Sequence, residues 1–398
     1  MGTMSGLSVS TIKRDRIDLT MNQSNPDSQP GSNCVRLITS NVTASSNEVT
    51  SSECLVRECK VLGVCAPGDQ PVPGVQSCND CQAHTTDLTA PDPEVVVFEN
   101  QQAPGDALVF SAALESLHKA HPGRFLTAIE GVGRPLFDHN PRVAILSPDI
   151  RRKARSINVH YPAINQSDDR AIHFMQAFCE FLEEALKVRV PLLVNRPYIY
   201  LTDEEKGWMG QVREATGASP RYWIVNAGHK NDFTAKWWGA RNYQHVVDRL
   251  RGRVTFVQVG EDGHTHPPLT GVIDLRGKTD QRQLCRLVYH ATGGLGPSTL
   301  LQHMCAAFEK PYVLVAGGRE PRVWQTYPLQ TLFSSVGTLP CCWAKACWKS
   351  RTAALNDGAE QDRSLCESPV WTDDGWIPEC LVQTDPGAVA DAIVSRCN

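Results

Sequence analysis

The stretch "EVVVFENQQAPGDALVFSAALESLHKAHPG" (Glu94–Gly123) decides the fold class. Its first seven residues form a short apolar run of the kind buried on both faces of a parallel sheet. "QQAPGD" is a turn, and "ALVFSAALESLHKAHPG" places apolar residues at helical spacing before a Pro-Gly stop. "RFLTAIEG" and "RVAILSP" read as two further strands, and "DDRAIHFMQAFCEFLEEALKVRV" as a helix packing on them. Strand and helix in alternation predict an α/β domain.

The pattern then repeats. "LTDEEKGWMGQVREATG" reads as a helix leading into a second half. There "RYWIVNAG", "VTFVQVGE", "GVIDLRG" and "PYVLVAGG" are strands, and "ARNYQHVVDRL", "DQRQLCRLVYHA" and "STLLQHMCAAF" are helices. "DPGAVADAIVSRC" is a closing helix with Pro386 at its first turn. Two α/β halves predict a pair of Rossmann-like domains facing across a cleft. The expected organisation is a disordered extension (1–50), a Cys-rich segment (51–92), a first domain (93–215), a second domain (216–380) ending in a Cys-rich tail (341–380), and the closing helix (381–398).

The chain has 398 residues, with 39 Lys and Arg against 43 Asp and Glu, a net charge of −4. That balance gives no general attraction to nucleic acid. No stretch reaches the ~20 apolar residues of a membrane span, and the first residues lack a secretory apolar core, so a cytoplasmic location is expected, with peripheral membrane contact left open.

Ligands of open α/β sheets sit beyond the carboxyl ends of the strands. The loops to inspect are therefore "QQAPGD", "NAGHKNDFTAKWW", "QVGEDGHTH", "GLGPST" and "AGGREPRVW". No G-x-G-x-x-G follows the first strand, which argues against a dinucleotide-dependent dehydrogenase.

Fifteen cysteines fall largely into two groups. Cys59-x5-Cys65-x12-Cys78-x2-Cys81 surrounds a Pro- and Gly-rich loop too poor in apolar residues to fold without a staple. The second group is Cys342, Cys347, Cys366 and Cys380, with Cys341 competing for the first position. Without a secretion signal, both groups favour a structural zinc or iron over disulfides.

In order, "GDALVFSAALESLHKAHPG", "KWWGARNYQHVVDRL", "VQVGE", "DLRGKTDQRQLCRLVYHA" and "HMCAAFEKPYVLVAGG" resemble the ADP-heptose:lipopolysaccharide heptosyltransferases, glycosyltransferase family 9, over about three quarters of the chain. The resemblance implies a GT-B fold. It also implies transfer of a sugar, heptose among the candidates, from a nucleotide-diphosphate-sugar such as ADP-heptose to a glycan, lipid or protein hydroxyl, with inversion and no catalytic metal. Asp106 matches the family's base, beside Gly105 at the acceptor; a helix cap is the competing reading from spacing alone. Lys236 matches the lysine that holds the donor's phosphates, and Glu261 an acid near the donor nucleoside or sugar. Thr279, Ser298, Thr299, His303, Gly317, Gly318 and Arg319 complete the implied donor set, Arg319 competing with an Arg319–Glu320 surface pair. Trp237 and Trp238 remain split between core and donor border.

One departure stands out. Counting back from His303, Ser298 occupies the position where the family carries Asp. The alternative is therefore a catalytically inactive, metal-stapled binding or scaffold protein on the same fold. Some protein-modifying relatives carry a four-cysteine iron finger, which the second cysteine group resembles.

Overall fold

The computed structural model describes residues 92–161, 163, 166–208 and 210–397. The expected extension, the rest of the Cys-rich segment and the group Cys59, Cys65, Cys78 and Cys81 lie outside the described residues.

The first half is built on a three-stranded parallel sheet, β1 (Glu94–Asn100), β2 (Phe125–Gly131) and β3 (Arg155–Val159), in the order β2-β1-β3. Val96, Val97 and Phe98 are fully buried, as expected for a central parallel strand. Helix α1 (Pro104–Ala120) is buried from Gly105 through His118, so it runs inside the half rather than along its surface. Phe110 packs edge-on against Phe98 (5.1 Å) and against Phe178 of α2 (Phe174–Leu186) (5.4 Å).

Three readings need correction here. "RVAILSP" forms no strand: Val143 makes a single bridge to Thr127, and the third strand is β3, whose mixed polarity hid it. The long helix from Asp168 starts only at Phe174, where the His173 ring accepts from the Met175 amide. It stops at Lys187, a residue in the left-handed region (φ 56°). "LTDEEKGWMGQVREATG" is two short helices, Asp203–Gly207 and Gln211–Thr216, rather than one.

The second half holds a six-stranded parallel sheet, β4 (Tyr222–Val225), β5 (Thr255–Gln258), β6 (Ile273–Asp274), β7 (Gly293–Gly296), β8 (Tyr312–Gly317) and β9 (Gln330–Ser334). Their order is β6-β5-β4-β7-β8-β9. Numbered within this half it reads 3-2-1-4-5-6, the doubly wound order whose crevice opens between the first and fourth strands. That places the switch point between β4 and β7.

β7 has the sequence Gly-Gly-Leu-Gly, which reads as a loop. A Cβ on Gly293 would stand 2.8 Å from the Trp223 ring, and one on Gly294 would stand 2.9 Å from the Cys305 sulfur and the Tyr312 ring. Bulky neighbours on both flanking strands leave room only for backbone. Helices α3 (Ala240–Arg249), α4 (Gln281–His290) and α5 (Leu300–Ala307) join the strands. An antiparallel hairpin, β10 (Pro369–Thr372) and β11 (Gly375–Pro378), follows in the tail. The final helix, α6 (Pro386–Val394), is capped by Asp385 and buries Val389, Ala390 and Ile393 in the cluster that holds Tyr243 and Val246 of α3.

Trp237 and Trp238 belong to that cluster as well. Trp238 is fully buried and meets Tyr243 edge-on at 5.0 Å, while Trp237 donates its indole N–H to the Ala227 carbonyl at 2.9 Å. Both are core residues. Replacing Trp238 with Ala is expected to cost about 3–5 kcal/mol of stability in urea unfolding. A loss below roughly 1 kcal/mol would show that the ring supports little of the core.

Candidate active site at the switch point

Two helix N-termini, one from each half, meet at the mouth of the crevice. α1 opens with Pro104 and Gly105, and α5 follows β7 through Ser298 and Thr299. Their approach depends on Gly105: a Cβ there would stand 3.3 Å from the His303 ring and 3.4 Å from the Leu300 amide. Asn226, at the end of β4, reaches across to the Thr299 hydroxyl at 3.5 Å. The topological switch point is thus also where the two halves touch.

Asp106 is the third residue of α1, and the cap position belongs to Ala103. Its carboxylate accepts a hydrogen bond from the Tyr161 hydroxyl instead of capping the helix. Burial pushes the Asp106 carboxyl up to about 6. The Tyr161 bond and the positive charge of Lys236 oppose that rise, and the negative charge of Glu320 adds to it. A carboxyl poised there can both take and hold a proton near neutrality.

Lys236 comes from the second half, on a single helical turn (Thr234–Lys236) in the loop after β4. The Ala235 amide donates to the Ser350 carbonyl at 3.0 Å and the Thr234 hydroxyl meets that of Thr352 at 3.0 Å, so the Cys-rich tail holds this turn in place. The Lys236 ammonium pairs with Glu320 at 2.9 Å and donates to the Ser298 carbonyl at 3.2 Å. Burial lowers its pKa, and the Glu320 carboxylate works against that shift.

Arg319 and Glu320 do form the ion pair foreseen for them, but inside the protein rather than on its surface. Arg319 also donates to the Lys349 carbonyl at 2.6 Å and lies over the rings of Phe233 and Trp348. For Glu320, burial favours the neutral acid, but Lys236 and Arg319, with hydrogen bonds from Lys236 and Ser298, hold the carboxyl down to about 2. Glu320 and Tyr161 are the site groups that sequence reasoning passed over. The only signal for Glu320 was its place beside Arg319 in a loop already singled out.

His303 is buried, and its Nδ1 meets the Tyr327 hydroxyl at 3.0 Å. Burial, with Lys236 nearby, lowers its pKa to about 3, so it is neutral at the site. Gly317 and Gly318 face the tail: a Cβ on Gly317 would stand 3.0 Å from the Cys380 sulfur, and one on Gly318 2.8 Å from that of Cys342. Glu261 is exposed and pairs with His264 at 3.4 Å. Thr279 precedes Asp280, the cap of α4. Among the described residues no hydrogen bond or ion pair joins Glu261 or Thr279 to the Lys236 cluster.

Cys341, Cys342, Cys347, Cys366 and Cys380 line one pocket together with Gly318 and Arg319, and all five are free of disulfides. Burial pushes the thiols of Cys366 and Cys380 up to about 11 and about 12. The donor set suits a thiolate-bound zinc or iron. Its spacing is open, because among the described residues no three His, Cys, Asp or Glu side chains converge closely enough to hold an ion.

The raised Asp106 pKa has a stability signature. Between pH 3.8 and about 6 the folded chain keeps a proton that the unfolded chain releases. Stability therefore falls as pH rises through that window and is level above it. Asp106→Asn carries no such proton, so its stability relative to the wild type should climb by roughly 3 kcal/mol across the window and then level off. Urea midpoints at several pH values read this directly; a flat difference would place Asp106 at its ordinary value.

No protein-family model matches the chain, and no curated protein matches it in sequence. Among solved structures it is similar to Escherichia coli ADP-heptose LPS heptosyltransferase II, at 13% identity and a TM-score of 0.52, over 76% of this chain and 98% of that one. It is similar also to TibC, a bacterial iron-containing dodecameric glycosyltransferase from enterotoxigenic E. coli H10407. There the identity is 18% and the TM-score 0.50, over 78% of this chain and 77% of that one. At such identities the likeness concerns architecture. The described chain is an α/β protein with the GT-B fold of these glycosyltransferases.

Proposed function

We propose that the protein is an inverting glycosyltransferase that moves a sugar from a nucleotide-diphosphate donor to an acceptor hydroxyl. One observation carries the reading: a proton-accepting carboxyl from the first half, Asp106, shares a buried electrostatic cluster with Lys236 at the switch point of the second. An acceptor oxygen attacks the anomeric carbon and its proton passes to Asp106. The bond to the diphosphate breaks with its electron pair on phosphate oxygen, where Lys236 and the N-terminus of α5 offset the growing charge. The acceptor would be bound by the half spanning 93–215 and the donor by that spanning 216–380. ADP-heptose leads the donor candidates, since the heptosyltransferase of like fold is named for it.

Asp106→Ala should lower turnover by about a thousandfold or more while leaving donor affinity within a few-fold of wild type. Undiminished transfer would remove the base assignment. A second reading, a binding or scaffold protein, draws on the contact between the halves, where Phe174 stacks on Trp324 at 4.6 Å, and on the hydroxyl at Ser298. It predicts that no ADP-, GDP- or UDP-sugar raises the melting temperature.

The tail thiols are proposed as a structural zinc or iron site drawn from Cys342, Cys347, Cys366 and Cys380, with no part in the transfer step. Elemental analysis of purified protein should find about one ion per such site, lost with a lowered Tm in Cys347→Ser or Cys366→Ser. Metal-free wild type of unchanged stability would rule the site out.

A further inference from the structure

Glu320 is the most constrained charge in the crevice. It is 6% exposed, and it takes hydrogen bonds from Lys236, Arg319 and Ser298. The ammonium it holds has three hydrogens: one goes to Glu320 and one to the Ser298 carbonyl. A quarter of the Lys236 side chain remains exposed, and it lines a small pocket with Ser298, Arg319 and Glu320 where a ligand oxygen would meet it. The guanidinium of Arg319 is likewise fixed, by Glu320 on one side and by the Lys349 carbonyl on the other.

We infer that Glu320 is the positioning residue of the anion site, holding Lys236 charged and aimed so that a diphosphate can bind. The inference rests on the donor reading above and adds to it a residue with no assigned role.

The physical reason is charge balance. Lys236 faces Arg319 and His303 within its own half and Asp106 from α1. Asp106 also favours the ammonium, but less than Glu320, which touches it at 2.9 Å and is the strongest negative charge beside it. Without it, two buried cations would stand together with only the more distant Asp106 to offset them, and the lysine would lose its proton more readily. A neutral amine cannot hold a diphosphate. The opposite role, a carboxylate plug that a phosphate must expel, makes the opposite prediction.

Binding of inorganic pyrophosphate and of ADP to the full chain, measured by calorimetry, separates the two. E320Q should weaken both by about tenfold or more, and the deficit should widen as pH rises from about 7 to about 9. Residue 298 lies against the same ammonium, so adding S298D to E320Q should restore most of the loss. E320D keeps the charge one methylene short; it should bind severalfold more weakly but with the pH dependence of the wild type.

Unchanged or tighter binding by E320Q overturns the inference and makes Glu320 a bystander or a plug. If E320Q does not fold, unchanged affinity in E320D overturns it equally. Wild type that binds neither pyrophosphate nor ADP removes the donor reading, and the role of Glu320 with it. Wild type that binds both, alongside an equally competent E320Q, removes the role of Glu320 alone.

Discussion

Strand β7 has no room for side chains on its glycines, and much else in the second half follows from that. Trp223 on β4 and Tyr312 on β8 press against Gly293 and Gly294, so the switch point is a place of close backbone approach. Tyr312 continues past the strand and donates its hydroxyl to the Pro297 carbonyl at 2.8 Å. That bond fixes the turn from β7 into α5 and sets Ser298 and Thr299 at the mouth of the crevice. The polar chemistry there depends on a steric fit one layer beneath it.

Above that layer, the first and second halves share charge. Asp106 sits in the first, Lys236, Arg319 and Glu320 in the second, and each alters the protonation of at least one other. Burial pushes Asp106, Lys236 and Glu320 each toward its neutral form. Their mutual charges hold Glu320 ionised, oppose the loss of the Lys236 proton, and leave Asp106 titrating at about 6, a carboxylate able to take a proton near neutral pH. The arrangement works because Gly105 lets α1 come within contact distance of α5.

Sequence reasoning reached the alternation of strands and helices and the loop order because buried parallel strands are rich in Val, Leu and Ile. It found β1, β2, β4, β5, β6 and β8 for that reason. It missed β3, β7 and β9, whose residues carry no apolar run: polar in β3, glycine in β7, mixed in β9. At the site, Asp106, Lys236 and Ser298 were picked out by the family resemblance, since spacing alone read Asp106 as a helix cap, and the structure brings all three to the crevice. Glu320 was not, since a carboxylate next to an arginine in sequence looks like a solvated pair. Its burial comes from β8, the tail and the Lys236 loop converging, which no local pattern records. Gly317 and Gly318 show the reverse case. They looked like ligand-facing glycines, but their missing side chains make space for sulfur atoms.

The Lys236 turn is clamped by backbone and hydroxyl contacts to Ser350 and Thr352, 118 residues away along the chain in the case of Thr234 and Thr352. This makes the second half a poor candidate for modular exchange. A fragment ending after β9 would keep all six strands of the sheet yet lose the brace on its principal cation. Any shuffling of such halves between proteins would have to carry the cysteine tail along, so the tail and the lysine constitute a single heritable unit.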